Sequence, residues 1–425
     1  MITILEALKS IVWGVPTLVL LLVSGIYFTR KCAFYRLNAL KITVRDTLFS
    51  LKRGSGRGIS SFKAVATALG GTVGVGSIVG VGYGIAVGGA GSIFWMWVCS
   101  FFGMGLKYAE VAIALNRRSE IDGKPIGGAQ VRLKDMGYKK TSAVFCFLCV
   151  LCSFGTGNLT QVGSMSDFFA SAGLTKIMCG MICFAVIAAA VFGGRERIAC
   201  INAVIIPSAS AVYLFACLVL LILNYKNILP SFALIFREAF GISAISGGFS
   251  GALLAHTLRE GFARSMFSNE AGMGSSPLAH ATVENASADV QAKWGIFEIF
   301  FDTFVVSTVT ALCLLSSGFD SPSQMFFSSF GKIGGLVFGL LTAVFAFASV
   351  ISWCYYAECC ISFMFIKSAD LATKIYRILF ALVSFFGVFI SGNTLWAVSD
   401  ILNALMMFPN LFLLFKCRNE IERID

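Results

Sequence analysis

The chain has 425 residues, of which 57% are hydrophobic and 13% charged, against about 25% charged in a soluble globular protein. That balance excludes a large water-soluble core and points to a bilayer. The net charge of +11 would suggest nucleic acid in a soluble protein, but here the basic residues sort along the chain by side of a membrane.

Apolar runs able to cross roughly 30 Å of hydrocarbon, about 20 residues each, recur from residue 11 almost to the C-terminus. The first, IVWGVPTLVLLLVSGIYF, is followed by Arg30, Lys31 and Arg36 with no small-residue cleavage pattern, so it reads as a retained helix and not a signal peptide. Helices are predicted over 11–29, 64–88, 91–115, 141–168, 176–192, 199–223, 243–263, 292–316, 334–366, 371–391 and 393–415. The stretch 265–290 is polar and contains Pro277, and is expected to be a cytoplasmic loop with a short surface helix.

One set of alternate loops is rich in Lys and Arg, from Arg30 through Lys63, Arg117 through Lys140, and on to Lys416, Arg418 and Arg423, whereas the opposite set holds only Lys9, Lys176, Lys226, Arg237 and Lys332. The positive-inside rule then puts the C-terminus in the cytoplasm, the N-terminus outside, and the helix count at an odd number, about eleven.

Fourteen cysteines lie mostly inside apolar runs, where a thiol behaves as a small hydrophobe. Cys146, Cys149 and Cys152 have cluster-like spacing but no fourth ligand nearby. No Ser/His/Asp order, HExxH motif or nucleophile elbow is present, so no catalytic residues and no cofactor are expected.

Two segments are unusually rich in glycine: GGTVGVGSIVGVGYGIAVGGAG from Gly70, and GISAISGGFSG from Gly241 to Gly251. Glycine-interrupted helices at corresponding positions of two halves point to a transporter site, because a break exposes backbone amides and carbonyls at the membrane midplane. Gly76, Gly80, Gly84 and Gly88 lie four apart, a stripe that suits close helix packing. Gly71 and Gly74 fall off that stripe. GVGSIVG lacks the GxGxxG spacing and a preceding strand, so a nucleotide site is not indicated.

From about residue 60 to 415 the sequence resembles the sodium:alanine/glycine symporter family, also called alanine or glycine:cation symporters. The resemblance is carried by GTVGVGSIVG, GGAGSIFWMWV, GMGLKYAEV, SWCYYAECC, TLWAVSDILNALMMFPNL and above all GFARSMFSNEAGMGSSPLAHA, Gly261 to Ala281. It implies an all-α, leucine-transporter-type fold with two inverted five-helix repeats and one extra N-terminal helix. The corresponding segments are 1–60 for the N-terminal helix and basic loop, 61–223 for the first repeat, 224–415 for the second, and 416–425 for a cytoplasmic tail.

A zwitterionic substrate needs donors for its carboxylate, and the break at Thr72, Val73, Gly74, Val75 and Gly76 can supply backbone amides aided by a half-helix dipole. The ammonium can meet carbonyls at Gly247 and Gly248, with Phe249 closing one side and Trp353 a candidate cap. The resemblance places a substrate-contacting glutamine at Gln161. Sodium prefers hard oxygens, which points to the carbonyls of Gly71, Thr72 and Gly74 with the Ser349 hydroxyl. Relatives carry Asn where this chain has Ser77, and two hydroxyl residues where it has Ala348 and Ser349. Proton-coupled members of the wider superfamily carry a lysine in core helix five, and 199–223 has none.

Lys107 and Glu110, three apart, are expected to pair with each other. Glu298, Asp302, Glu358 and Asp400 are read as gate or packing partners, and Glu270 as a first-turn residue or partner of Arg264. The expected activity is sodium-coupled symport of a small neutral amino acid (alanine, glycine or D-alanine) by a monomer of the inner membrane, in contact with lipid and not nucleic acid. Proton coupling, exchange, and a nontransporting amino acid sensor are the alternatives.

Overall fold

The computed structural model describes residues 2–34, 39–50, 59–121, 123–171, 173–240, 250–284, 287–390 and 392–421. In chain order the helices begin with α1 Ile2–Val12, α2 Val15–Lys31, α3 Ala39–Ser50, α4 Ser61–Thr72, α5 Val81–Gly88 and α6 Gly91–Asn116. A hairpin of β1 Ser119–Ile121 and β2 Lys124–Ile126 precedes α7 Ala129–Asp135, α8 Lys139–Phe154, α9 Thr160–Ser171, α10 Lys176–Val191, α11 Gly194–Leu223 and α12 Tyr225–Ala239. After these come α13 Ser250–Asn269, α14 Pro277–His280, α15 Ala288–Ile299, α16 Thr308–Ser317, α17 Pro322–Met364, α18 Ala369–Gly387 and α19 Gly392–Lys416.

Among the described residues, six helical stretches are long and apolar enough to cross a bilayer: α6, α8 with α9, α11, α15 with α16, α17 and α19. A seventh is counted when α4 and the stretch Gly76–Gly88, bent by 43° at their junction, are taken as one span. Large apolar side chains on the outward faces are exposed, such as Val204, Phe215, Ile222 and Leu336, as lipid contact requires. All fourteen cysteines are free thiols, and all but Cys200 are buried.

Small residues set how closely the helices pack. A Cβ on Gly105 of α6 would stand 2.5 Å from Thr29 Oγ1 and 2.7 Å from Thr29 N on α2. The backbone atom cannot swing aside. Gly105→Ala is therefore expected to lower thermal stability by about 1–3 kcal/mol, measured by unfolding in detergent, without changing the substrate affinity of the folded fraction. The glycine stripe is a packing surface: Gly76 faces Phe267, Gly84 faces Arg264 and Gly88 faces Glu260, all on α13, while Gly80 faces Trp396 on α19.

Helix α3, which is not one of the spanning stretches, is tied to α15 through Asp46, which accepts hydrogen bonds from Lys293 Nζ at 2.8 Å and Arg45 Nε at 2.9 Å. Partial burial pushes the Asp46 carboxyl up, but these two cations outweigh it and hold it below its ordinary value. The contribution is present at neutral pH and fades as pH falls through the lowered value.

The reading of 265–290 as a surface loop is overturned. Helix α13 continues to Asn269, past the predicted end at residue 263, and residues 260–283 are buried. The polar side chains satisfy one another inside the protein: Asn269 Nδ2 donates to Ser100 Oγ at 2.8 Å, Ser265 Oγ at 3.0 Å and Thr303 Oγ1 at 3.2 Å. A polar run demands partners, and neighbouring helices supply them as well as water does.

Candidate functional site

Helix α4 ends at Thr72, and Val73, at φ −77° and ψ 80°, carries the chain out of the helix before it resumes as a π-helical turn over Gly76–Gly80. Glycine is required here by close approach. A Cβ on Gly71 would lie 2.5 Å from the Tyr356 hydroxyl and 3.2 Å from Glu270 Oε1, and one on Gly74 would fall on Ser349 Oγ. The freed backbone groups find side chains: Ser349 Oγ donates to Gly70 O at 2.8 Å, and Val75 N donates to Gln161 Oε1 at 3.4 Å. Thr72 O accepts from Gly74 N at 2.9 Å and lies 3.3 Å from Ser77 Oγ.

A second break follows Asn269. Glu270 at φ 56°, Gly272 at φ 89° and Gly274 at φ 74° turn the chain out of α13 until Pro277 opens α14. A left-handed conformation is unfavourable for glutamate and persists only where the surroundings hold it. Those surroundings come from α6 and α19. Lys107 Nζ donates to Glu270 O at 3.2 Å and to Ser276 Oγ at 2.8 Å, Gly274 N donates to Glu110 Oε1 at 3.1 Å, and Asn410 Nδ2 donates to Gly272 O at 2.9 Å.

The expected pairing of Lys107 with Glu110 is thus corrected: both side chains are spent on the backbone of the break. The two breaks meet, with Gly71 against Glu270 and Gly76 against Phe267 and Ser268.

Where they meet, oxygens gather around Asp302, which sits in the π-helical stretch Phe300–Ser307 linking α15 to α16. Ser77 Oγ contacts Asp302 Oδ1 and lies 3.0 Å from Ser268 Oγ, while Ser268 Oγ and Thr303 Oγ1 donate to Asp302 Oδ2 at 2.7 and 3.1 Å. Asp302, Ser77 and Ser268 are fully buried, and among the described residues Asp302 makes no ion pair. The hydroxyl of Ser77 holds one proton and cannot serve Thr72 O, Ser268 Oγ and Asp302 together. The cluster has more oxygen lone pairs than hydrogens to fill them.

Other predicted residues fall around this centre. Gln161, one residue into α9, is buried, and its Nε2 donates to Thr156 O at 3.3 Å, so its amide links the first break to the π-helical turn Gly155–Leu159. Trp353 packs on Gly157 of that turn, edge to face with Tyr356 at 5.5 Å. Ser349 meets the carbonyl of Gly70, one residue before the predicted Gly71. Gly247, Gly248 and Phe249 lie outside the described residues. Sequence reasoning read Asp302 as a gate or packing partner and did not bring Ser268 to it; the signal for Ser268 was SNEAG, a polar run with glycines and a following proline inside an apolar chain.

On the α5 side of the site, Arg264 pairs with Asp400 and lies over the rings of Tyr83, Phe267 and Trp396, with centroids 5.0–5.5 Å away. Lys9 Nζ closes the cluster at 3.0 Å from Glu260 and 3.3 Å from Asp400. The partner of Arg264 is therefore Asp400 and not Glu270, whose Oε2 accepts from Ser275 Oγ at 2.5 Å.

A family model for the sodium:alanine symporter family matches residues 1–423. The chain is 35% identical to the sodium/alanine symporter AgcS of Methanococcus maripaludis, over 96% of this chain and 93% of that one. It is 32% identical to a probable sodium/glutamine symporter, GlnT, of Bacillus subtilis (96% and 86% covered), and 28% identical to a sodium/proton-dependent alanine carrier of a Bacillus species (87% and 88%). The crystal structure of MhsT in complex with L-phenylalanine aligns over 86% of this chain and 90% of that one, with a TM-score of 0.63 at 15% identity, a similarity of fold.

Proposed function

The chain belongs to the sodium:alanine symporter family, and from that membership and the site we propose that it couples the entry of a small neutral amino acid, such as alanine, glycine or D-alanine, to sodium. The observation that carries the reading is Asp302, a buried carboxylate whose neighbours are hydroxyls and whose charge has no basic partner among the described residues. An uncompensated buried charge is costly, and a sodium ion coordinated by Thr72 O, Ser77 Oγ, Ser268 Oγ and Asp302 would remove that cost. A second cation position at Gly71, Thr72, Gly74 and Ser349 is part of the same proposal.

Substrate carboxylate is proposed to bind at Gly74, Val75 and Gly76 beside Gln161, with Phe267 as one wall. Gly247, Gly248, Phe249 and Trp353 remain proposed contacts. The architecture proposed is eleven spans: an N-terminal helix within 1–60, an inverted five-helix repeat over 61–223, its counterpart over 224–415, and a tail over 416–425. The N-terminus lies outside and the C-terminus inside by charge bias, which makes the Lys9–Glu260–Arg264–Asp400 cluster an outer gate. One helix bundle rocks around the site as a monomer.

Asp302 could hold a proton in place of sodium, the second reading. A thermal-shift series separates them. Alanine at about a hundred times its Kd should stabilise the protein by about 2.7 kcal/mol in sodium and far less in choline. Equal stabilisation in both salts, varying only with pH, would favour the proton.

A further inference from the structure

A slot of about 420 Å³ lies between α3, α4, α11 and α15, on the outer wall of the helix bundle. Cavities of roughly 300–1,000 Å³ are the size at which proteins hold small molecules. Phe62, Val65 and Leu69 face it from α4, and Trp294, Phe297 and Phe301 face it from α15 and the π-helical stretch that follows. Each set is spaced three or four residues apart, so it forms one stripe over two turns of its helix, about 10 Å long. Both helices belong to spanning stretches, and the slot therefore runs with them.

Ser210 and Leu214 of α11 form its back. The hydroxyls in the lining give a polar ligand little to hold: Thr47 Oγ1 donates to Thr43 O at 2.8 Å, and Ser210 Oγ, fully buried, has no partner. An occupant is gripped by its apolar surface.

The mouth is basic. Val44 on α3 and Phe62 at the start of α4 are both exposed there. Lys41 lies one turn before Val44 and Arg45 follows it, both exposed, while half-buried Lys63 follows Phe62. Asp46 and Asp289 offset two of the four cations Lys41, Arg45, Lys63 and Lys293, so the rim keeps a positive excess. An apolar slot beneath a basic rim matches a molecule with a hydrocarbon chain and an anionic head.

At its deep end the slot adjoins the transport site along the chain. Leu69 precedes Gly70, whose carbonyl accepts from Ser349 Oγ, and Phe301 precedes Asp302. An occupant braces α4 against α15 just before each reaches the site.

We propose that the slot holds one acyl chain of an anionic phospholipid from the cytoplasmic leaflet, with the headgroup phosphate at Lys41, Arg45 and Lys63. Surface lipid contact is general to a spanning protein; this is a single, saturable site. The leaflet rests on the orientation given above by charge bias, whereas the slot does not.

The test uses the purified full chain, stripped of lipid in detergent and titrated with phosphatidylglycerol or with phosphatidylcholine of the same acyl chains. Bound lipid is counted by mass spectrometry of the intact complex, and the unfolding temperature is followed in parallel. Phosphatidylglycerol should saturate at about one per protein, bind about tenfold more tightly than phosphatidylcholine, and raise the unfolding temperature. K41Q/R45Q should bring the two lipids level. S210L puts a larger side chain into the slot and should abolish the saturable binding. A211F, at an exposed edge of the slot, should do the same and decides if S210L does not fold. Equal binding of the two lipids by the wild type overturns the inference, as does wild-type binding by whichever filled variant folds. The readout in detergent has no sides and needs no sodium, so its failure leaves the orientation and the sodium reading standing.

Discussion

Asp302→Asn is expected to weaken apparent sodium affinity by about 100-fold, the equivalent of about 3 kcal/mol for removing one partner of a buried charge pair. Asparagine keeps the side-chain volume and one acceptor oxygen, so the loss isolates the charge. The same substitution should raise the thermal stability of the sodium-free protein, because the native carboxylate is fully buried with no basic partner among the described residues. These opposite signs separate two roles. If Asp302 only fastened Ser77, Ser268 and Thr303 as a hydrogen-bond acceptor, the asparagine variant would be less stable without sodium and would keep its sodium response.

Gly74→Ala should lower amino acid uptake by about 100-fold or more, the scale of loss when a binding geometry is displaced by roughly 1 Å. The new Cβ would fall on Ser349 Oγ and press on Gln161 Oε1 at 3.4 Å. Ser349 would have to release Gly70 O, and the Gln161 bond to Val75 N would loosen. The collision also strains the fold, at about 1–3 kcal/mol. The double variant G74A/S349A removes the colliding oxygen and leaves a Cβ 3.3 Å away, so it should regain most of the lost stability and little of the uptake. Proteoliposome uptake and thermal unfolding of G74A, S349A and G74A/S349A form a double-mutant cycle with the wild type. Full uptake by G74A would show that the first break does not hold the substrate.

The first break was legible because Gly71 and Gly74 are glycines for close approach, and both lie off the packing stripe. Glycine density singled out GISAISGGFSG, most of which lies outside the described residues, and did not single out Glu270–Ser276, where the chain leaves α13 and only Gly272 and Gly274 mark the turn. Polarity misled in the other direction, since SNEAG was taken for a solvated loop.

Asp302 looked like a lone carboxylate in an apolar run because its partners, Ser77 and Ser268, lie 225 and 34 residues away in sequence. Lys107 and Glu110 were paired by their spacing on one helix, yet both reach across to backbone atoms that a sequence cannot place. Local periodicity located the helices; the site is made of contacts between distant segments.

The protein is proposed to couple a small amino acid to sodium through the two breaks. Labelled alanine uptake into proteoliposomes holding the wild-type protein, with an inward sodium gradient and with choline in its place at matched pH, tests it most directly. Accumulation above the external concentration with sodium, and only equilibration or none with choline, is the predicted result. Uptake indifferent to both the sodium and the pH gradient would contradict it.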